Sequence, residues 1–154
     1  MQDDRGSLSK IKKAIFFAIL IAFLCSYIPF GKFNDSLYIY SGCTTLGIGL
    51  IFRSYSIVIL GKRFTYVVTI LKEHPLQTKG LYAIIRHPGY LGQLLILIGS
   101  TVLFGNWISV TLAFLILFPF YHYRISVEED LLLQYNEDYG DYSQRTYRLI
   151  PFVY

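Results

Sequence analysis

Four apolar stretches constrain this chain more than any other feature. They cover about 14–30, 37–60, 89–104 and 107–123, and the first runs for 17 residues, AIFFAILIAFLCSYIPF, without a charge. At 1.5 Å of rise per residue such a run gives a helix of roughly 25 Å, near the minimum for crossing the apolar part of a bilayer. Composition agrees. The chain is 54% hydrophobic and 18% aromatic but only 16% charged, against about 25% charged in a typical soluble domain. The expectation is an all-α integral membrane protein of four transmembrane helices, a single domain over residues 1–154.

The placement of charge decides between partners. A formal charge of +4 would suit nucleic acid if the basic residues formed one stripe. Instead they flank the apolar runs, which is the membrane pattern and excludes a nucleic-acid partner. Lys10, Lys12 and Lys13 precede the first run; Lys62, Arg63, Lys72, Lys79 and Arg86 lie in the 61–88 segment. The GKFNDS loop holds one basic residue and the Gly105-Asn106 joint none. By the positive-inside rule both termini, the 61–88 segment and the 124–154 tail face the cytoplasm. The first run has no small-residue cleavage site, because Tyr27, Pro29 and Phe30 occupy its end, so it reads as a retained helix.

Within the runs, Cys25 and Cys43 read as small buried hydrophobes, with neither a disulfide framework nor metal-ligand spacing around them. Cys43, Thr45, Gly47 and Gly49 form a small-residue face suited to close helix approach. Arg53 interrupts the second run and either snorkels toward the interface, the default expectation, or faces a polar cavity. The joint Gly105-Asn106 implies a tight helical hairpin between the third and fourth spans, with Trp107 at headgroup depth.

Two polar motifs fall on the cytoplasmic side. In KEHPLQTKGLYAIIRHPGY, residues 72–90, Pro88 suits the first turn of the third helix and His87 its N-cap. The free N–H groups there, with the charge of Arg86, would make an anion pocket; plain interface anchoring by Arg86 and His87 is the simpler alternative. In the second motif, Arg124 and Glu128 lie four apart on one face of a helix continuing from the fourth span, and Glu129 lies about 100° away. That helix should end near Asn136, a residue that tolerates the left-handed terminal conformation. Arg145 and Arg148 read as structural or lipid-facing.

Taken together, GLYAIIRHPGYLG, RISVEEDLL and YGDYSQRTYRLIPFVY resemble the integral-membrane methyltransferases typified by isoprenylcysteine carboxyl methyltransferase and phospholipid N-methyltransferase. The likeness covers about residues 58–154. It implies S-adenosylmethionine bound by cytosolic segments, through His74, Leu76, Gly80, Tyr82, His87, Pro88 and Tyr90. It implies catalytic roles for Arg124, Glu128 and Glu129, a lipophilic or membrane-borne methyl acceptor that is isoprenylcysteine carboxylate-like or an aminolipid, and membrane lipids as further partners. Asn136 stands where the family commonly has Gly. An acceptor carboxylate would be oriented by Arg124; an acceptor amine would need Glu128 or Glu129 as base. The competing classes are a sterol-type reductase using NADPH and a non-catalytic scaffold of the same fold.

Overall fold

The computed structural model describes residues 6–61 and 76–153, and within them the order is five α-helices and one short 3₁₀ turn. Helix α1 is Ser7–Cys25, seven residues earlier than the apolar run suggests at its start. The lysines belong to the helix, and Gly6, with φ 68°, opens it. It stops before Pro29 because the backbone tightens into successive turns from Ser26 to Ile28, with Ser26 Oγ donating to the Phe23 carbonyl at 2.6 Å. One face, Ser7, Ile11, Ala14, Ala18, Ala22 and Cys25, is buried. Its alanines let α4 (Trp107–Tyr135) pack closely, while Phe16, Phe17, Phe23 and Leu24 point outward.

Helix α2, Leu37–Leu60, packs along α3, Pro88–Val102, and this pair has the most extensive helix contact among the described residues. Glycines set the distance. A Cβ on Gly49 would lie 2.6 Å from the Ile96 nitrogen and 2.7 Å from the Gly92 carbonyl oxygen; one on Gly99 would lie 2.6 Å from the Leu46 nitrogen. Gly42 and Gly49, and opposite them Gly92 and Gly99, recur at sevens, so the seam is a two-turn repeat. The small-residue face expected from Cys43, Thr45, Gly47 and Gly49 is therefore corrected. Cys43 is exposed, Gly47 has nothing within 4 Å, and Gly49 alone of the four joins the seam. Cys25 is buried as expected, and both cysteines are free.

This contrast gives a paired test. Gly49→Ala should destabilise the protein by about 1–3 kcal/mol, because backbone rather than a flexible side chain blocks the new methyl. Gly47→Ala should stabilise by up to about 1 kcal/mol through helix propensity. Thermal unfolding of the two variants in one detergent checks both; equal shifts would disprove the seam.

Helix α3 begins at Pro88 in the first-turn position, as expected. The α3–α4 joint is built around Asn106, which is fully buried. Its Oδ1 accepts from the Ile108 N–H at 2.8 Å, and its Nδ2 donates to the carbonyls of Cys25 and Phe30, each at 3.0 Å. The same side chain thus caps α4 and ties the end of α1 to the hairpin.

Helices α2 and α4 are long and apolar enough to cross a membrane, and the chain is read as an integral membrane protein. At 29 residues α4 measures about 43 Å, longer than a bilayer core of roughly 30 Å. Its charged end, from Arg124 on, extends past the apolar 107–123 stretch. The helix stops at Asn136 as expected, but Asn136 is extended (φ −134°, ψ 110°) rather than left-handed. Its Oδ1 instead accepts from the Asp138 N–H at 3.1 Å. A last helix, α5, Tyr139–Arg145, follows.

Candidate functional site

At the charged end of α4 three elements converge: the 79–87 loop with its 3₁₀ turn Gly80–Ala83, the first turns of α3, and the tail beyond α5. A short parallel bridge between Ile85 and Tyr147 registers tail against loop. Arg86 N–H donates to the Tyr147 carbonyl at 2.7 Å, and His87 N–H to the Arg148 carbonyl at 3.1 Å. Tyr142 adds its hydroxyl to the Tyr82 carbonyl at 2.7 Å. The closing motif YRLIP is thus a brace for the loop, with Leu149 buried beneath it.

The two neighbouring glutamates have different surroundings, as their 100° separation requires. Glu129 is buried. Its Oε1 accepts from Arg86 Nε at 2.8 Å and from His87 Nε2 at 3.2 Å, and its Oε2 accepts from Arg148 Nε at 2.8 Å. A carboxylate only accepts, so His87 carries its proton on Nε2. Burial alone would raise the Glu129 pKa, but the hydrogen bonds and charges of His87 and Arg86 outweigh it and hold the group at about 2, below its ordinary 4.5. Arg86 also reaches past Glu129 to the carbonyls of Ser143 (2.7 Å) and Thr146, so one guanidinium joins loop, α4 and tail.

Glu128 is half-buried and faces elsewhere. The Tyr90 hydroxyl donates to Glu128 Oε2 at 2.7 Å and accepts from Arg124 Nε at 3.0 Å. Arg124 is buried, with its guanidinium carbon 5.7 Å from the Tyr90 ring centre. Its Nη1 donates to Ser7 Oγ at 2.8 Å. A chain of polar contacts therefore runs Ser7–Arg124–Tyr90–Glu128 across α1, α4 and α3.

Of the expected cofactor segment, Leu76 is half-buried and Tyr82 and Pro88 are buried. Gly80 has φ 67° and lies so close to the Tyr55 hydroxyl that a Cβ would collide with it. Leu81 N–H donates to the same hydroxyl at 3.2 Å. Burial pushes the Tyr82 phenol up to about 12. His74 lies outside the described residues. Tyr90, His87, Glu129, Glu128 and Arg124 are brought to one end of the bundle.

Several participants were not expected from the sequence. Ser7 lies ahead of the first apolar run, and nothing local marks a serine as the partner of an arginine over a hundred positions away. Arg53 was read as snorkelling; instead its Nη1 turns inward to the Gly89 carbonyl at 3.3 Å, at the first turn of α3. Arg148, read as structural or lipid-facing, is structural, although its acid is Glu129 rather than a tail residue.

Fold and site together define an all-helical membrane protein with one dense polar centre where its helices meet a bracing tail. Residues 42–134 match the isoprenylcysteine carboxyl methyltransferase (ICMT) family, and the chain belongs to it. It is 36% identical over 117 residues to a probable protein-S-isoprenylcysteine O-methyltransferase of Oryza sativa subsp. indica, covering 74% of this chain and 61% of that protein. It is 34% identical over 125 residues to the protein-S-isoprenylcysteine O-methyltransferase of Schizosaccharomyces pombe, covering 79% and 53%. Among solved structures, that of the eukaryotic intramembrane Ras methyltransferase ICMT superposes with a TM-score of 0.78 at 27% identity, covering 92% of this chain and 52% of that one. The chain spans 53–61% of the length of these two curated relatives.

Proposed function

We propose that this protein methylates the carboxylate of a lipophilic, isoprenylcysteine-like acceptor, using S-adenosylmethionine, at the cytosolic end of four membrane spans near 14–30, 37–60, 89–104 and 107–123. The observation that carries the reading is the Arg124–Tyr90–Glu128 chain. It sets a buried cation and a carboxylate on either side of one tyrosine hydroxyl, at the end of an apolar bundle. The relatives named above are methyltransferases by name, which disfavours the NADPH-reductase and scaffold readings.

The residues present suit the cofactor. Gly80 turns the loop at φ 67° where any side chain would collide with Tyr55, and the half-buried Tyr90 sets an aromatic ring beside Glu128. Glu128 supplies a carboxylate that favours a sulfonium cation electrostatically. When bound, S-adenosylmethionine supplies an electrophilic methyl group. His74, Leu76, Gly80, Tyr82, His87, Pro88 and Tyr90 hold it in this reading. Arg124 orients the acceptor carboxylate, which needs no base because it is already ionised. Tyr90 fixes the Arg124 guanidinium and Glu128 relative to one another, and the surrounding apolar packing excludes water. Glu129 acts at one remove, by locking Arg86 and His87.

The test incubates purified protein with methyl-labelled donor and either an S-prenylated N-acetylcysteine or an aminolipid. Label should appear as a base-labile ester on the prenylcysteine. Label on the amine alone, or none on either, would refute the carboxylate reading. In parallel, S-adenosylhomocysteine should raise the unfolding temperature by mass action while NADPH does not.

A further inference from the structure

Among the described residues two buried side-chain polar atoms lack a hydrogen-bond partner, the hydroxyls of Tyr121 and Tyr139. Tyr139 belongs to the ionic cluster, in the field of Glu129 and Arg86. Tyr121 lies outside that cluster. It is fully buried in the bundle core beside Leu94, Ala113 and Leu117. An orphaned buried hydroxyl costs free energy unless something occupies its hydrogen-bonding position.

Its surroundings name the class of occupant. Tyr121 and Arg124 are three residues apart on α4 and leave it on the same side. Tyr121 meets the Tyr90 ring edge-on, with centroids 6.1 Å apart, and lies within electrostatic reach of both Arg53 and Arg124. A hydroxyl donor on the side of α4 that carries the Arg124 guanidinium suits an anionic group with oxygen acceptors. Both α1 and α3 pack on α4, and Tyr121 sits in the cluster that joins them, with Ile11 and Ala18 of α1 and Leu94 of α3.

We infer that the Tyr121 hydroxyl is an acceptor-binding group, donating to the carboxylate that Arg124 orients, with Arg53 strengthening the local field. This deepens the carboxylate-acceptor reading and rests on it. Tyr121 would then discriminate the ionised acceptor from a neutral analogue of the same shape.

Tyr121→Phe tests this without changing shape. With the full chain and the S-prenylated N-acetylcysteine, the acceptor KM should rise about tenfold, as loss of a hydrogen bond to a charged group implies. Affinity for S-adenosylhomocysteine should not change, and the unfolding temperature should hold or rise, since an orphaned hydroxyl has been removed. The prenylcysteine carboxamide should compete poorly with the acid in the wild type, and less poorly in the variant. An acceptor KM within twofold of wild type, or an equal loss of cofactor affinity, overturns the inference. If the wild type leaves the prenylcysteine unmethylated, the carboxylate reading itself fails and takes this inference with it.

Discussion

Arg124→Ala should lower kcat by at least about a hundredfold, the scale seen when a single group positioning developing or resident charge is removed. Arg124 is buried and held by Tyr90 and Ser7, so its guanidinium has a defined direction before any acceptor arrives. Alanine removes both the charge and its two fixed donors. Arg124→Lys separates those contributions. It keeps the charge but loses the planar fork, so it should recover only part of the activity. The thermal shift caused by S-adenosylhomocysteine should survive in both variants, since in this reading Arg124 addresses the acceptor. Turnover of Arg124→Ala within about threefold of wild type would remove the residue from the mechanism.

The second large effect falls on stability. Glu129→Ala leaves Arg86 a buried cation without its carboxylate, a situation that typically costs about 3–5 kcal/mol. The Arg148 share is small, because its side chain is 32% exposed and solvent screens it. Loss should concentrate in the brace, since Arg86 also holds the Ser143 and Thr146 carbonyls. Hydrogen exchange of residues 139–149 should accelerate before that of α2 or α3. Glu128→Gln is the contrast: its carboxylate accepts from Tyr90 and is not part of the ionic hub, so turnover should fall with little change in unfolding temperature.

The same hub predicts an acid response. The Glu129 carboxyl is depressed from 4.5 to about 2 in the folded protein. A depressed acid contributes stability that is fully present above its unfolded value and is lost as pH falls toward the folded one. The contribution is about 3 kcal/mol. Stability should therefore hold from neutrality down to about pH 5 and decline between there and pH 2. In Glu129→Gln that decline should be shallower; an unchanged acid profile would mean the hub does not couple to folding.

The helices were legible because each carries its own cause. Apolar length marked α2 with both ends correct, Pro88 marked the start of α3, and Asn136 marked the end of α4. Where the reading slipped, local signals were read without a neighbour. Lysines placed Ser7–Lys13 outside the bilayer but could not keep them out of a helix. Small residues abounded on α2, yet only those facing Gly92 and Gly99 form the seam. Arg53 was assigned the ordinary fate of an arginine near a helix end, because the Gly89 carbonyl that accepts from it lies in another helix.

For the site, sequence alone assembled the participants: a charged extension bearing Arg124, Glu128 and Glu129, a loop bearing Arg86 and His87, and an apolar bundle to carry them. Helical geometry even required the two glutamates to point in different directions. Which one became the buried hub, and which kept company with Tyr90 and Arg124, was settled only by tertiary packing. A carboxylate's role depends on the donors within about 3 Å of it, and here the loop and the tail bring those of Glu129 and the first turn of α3 brings that of Glu128.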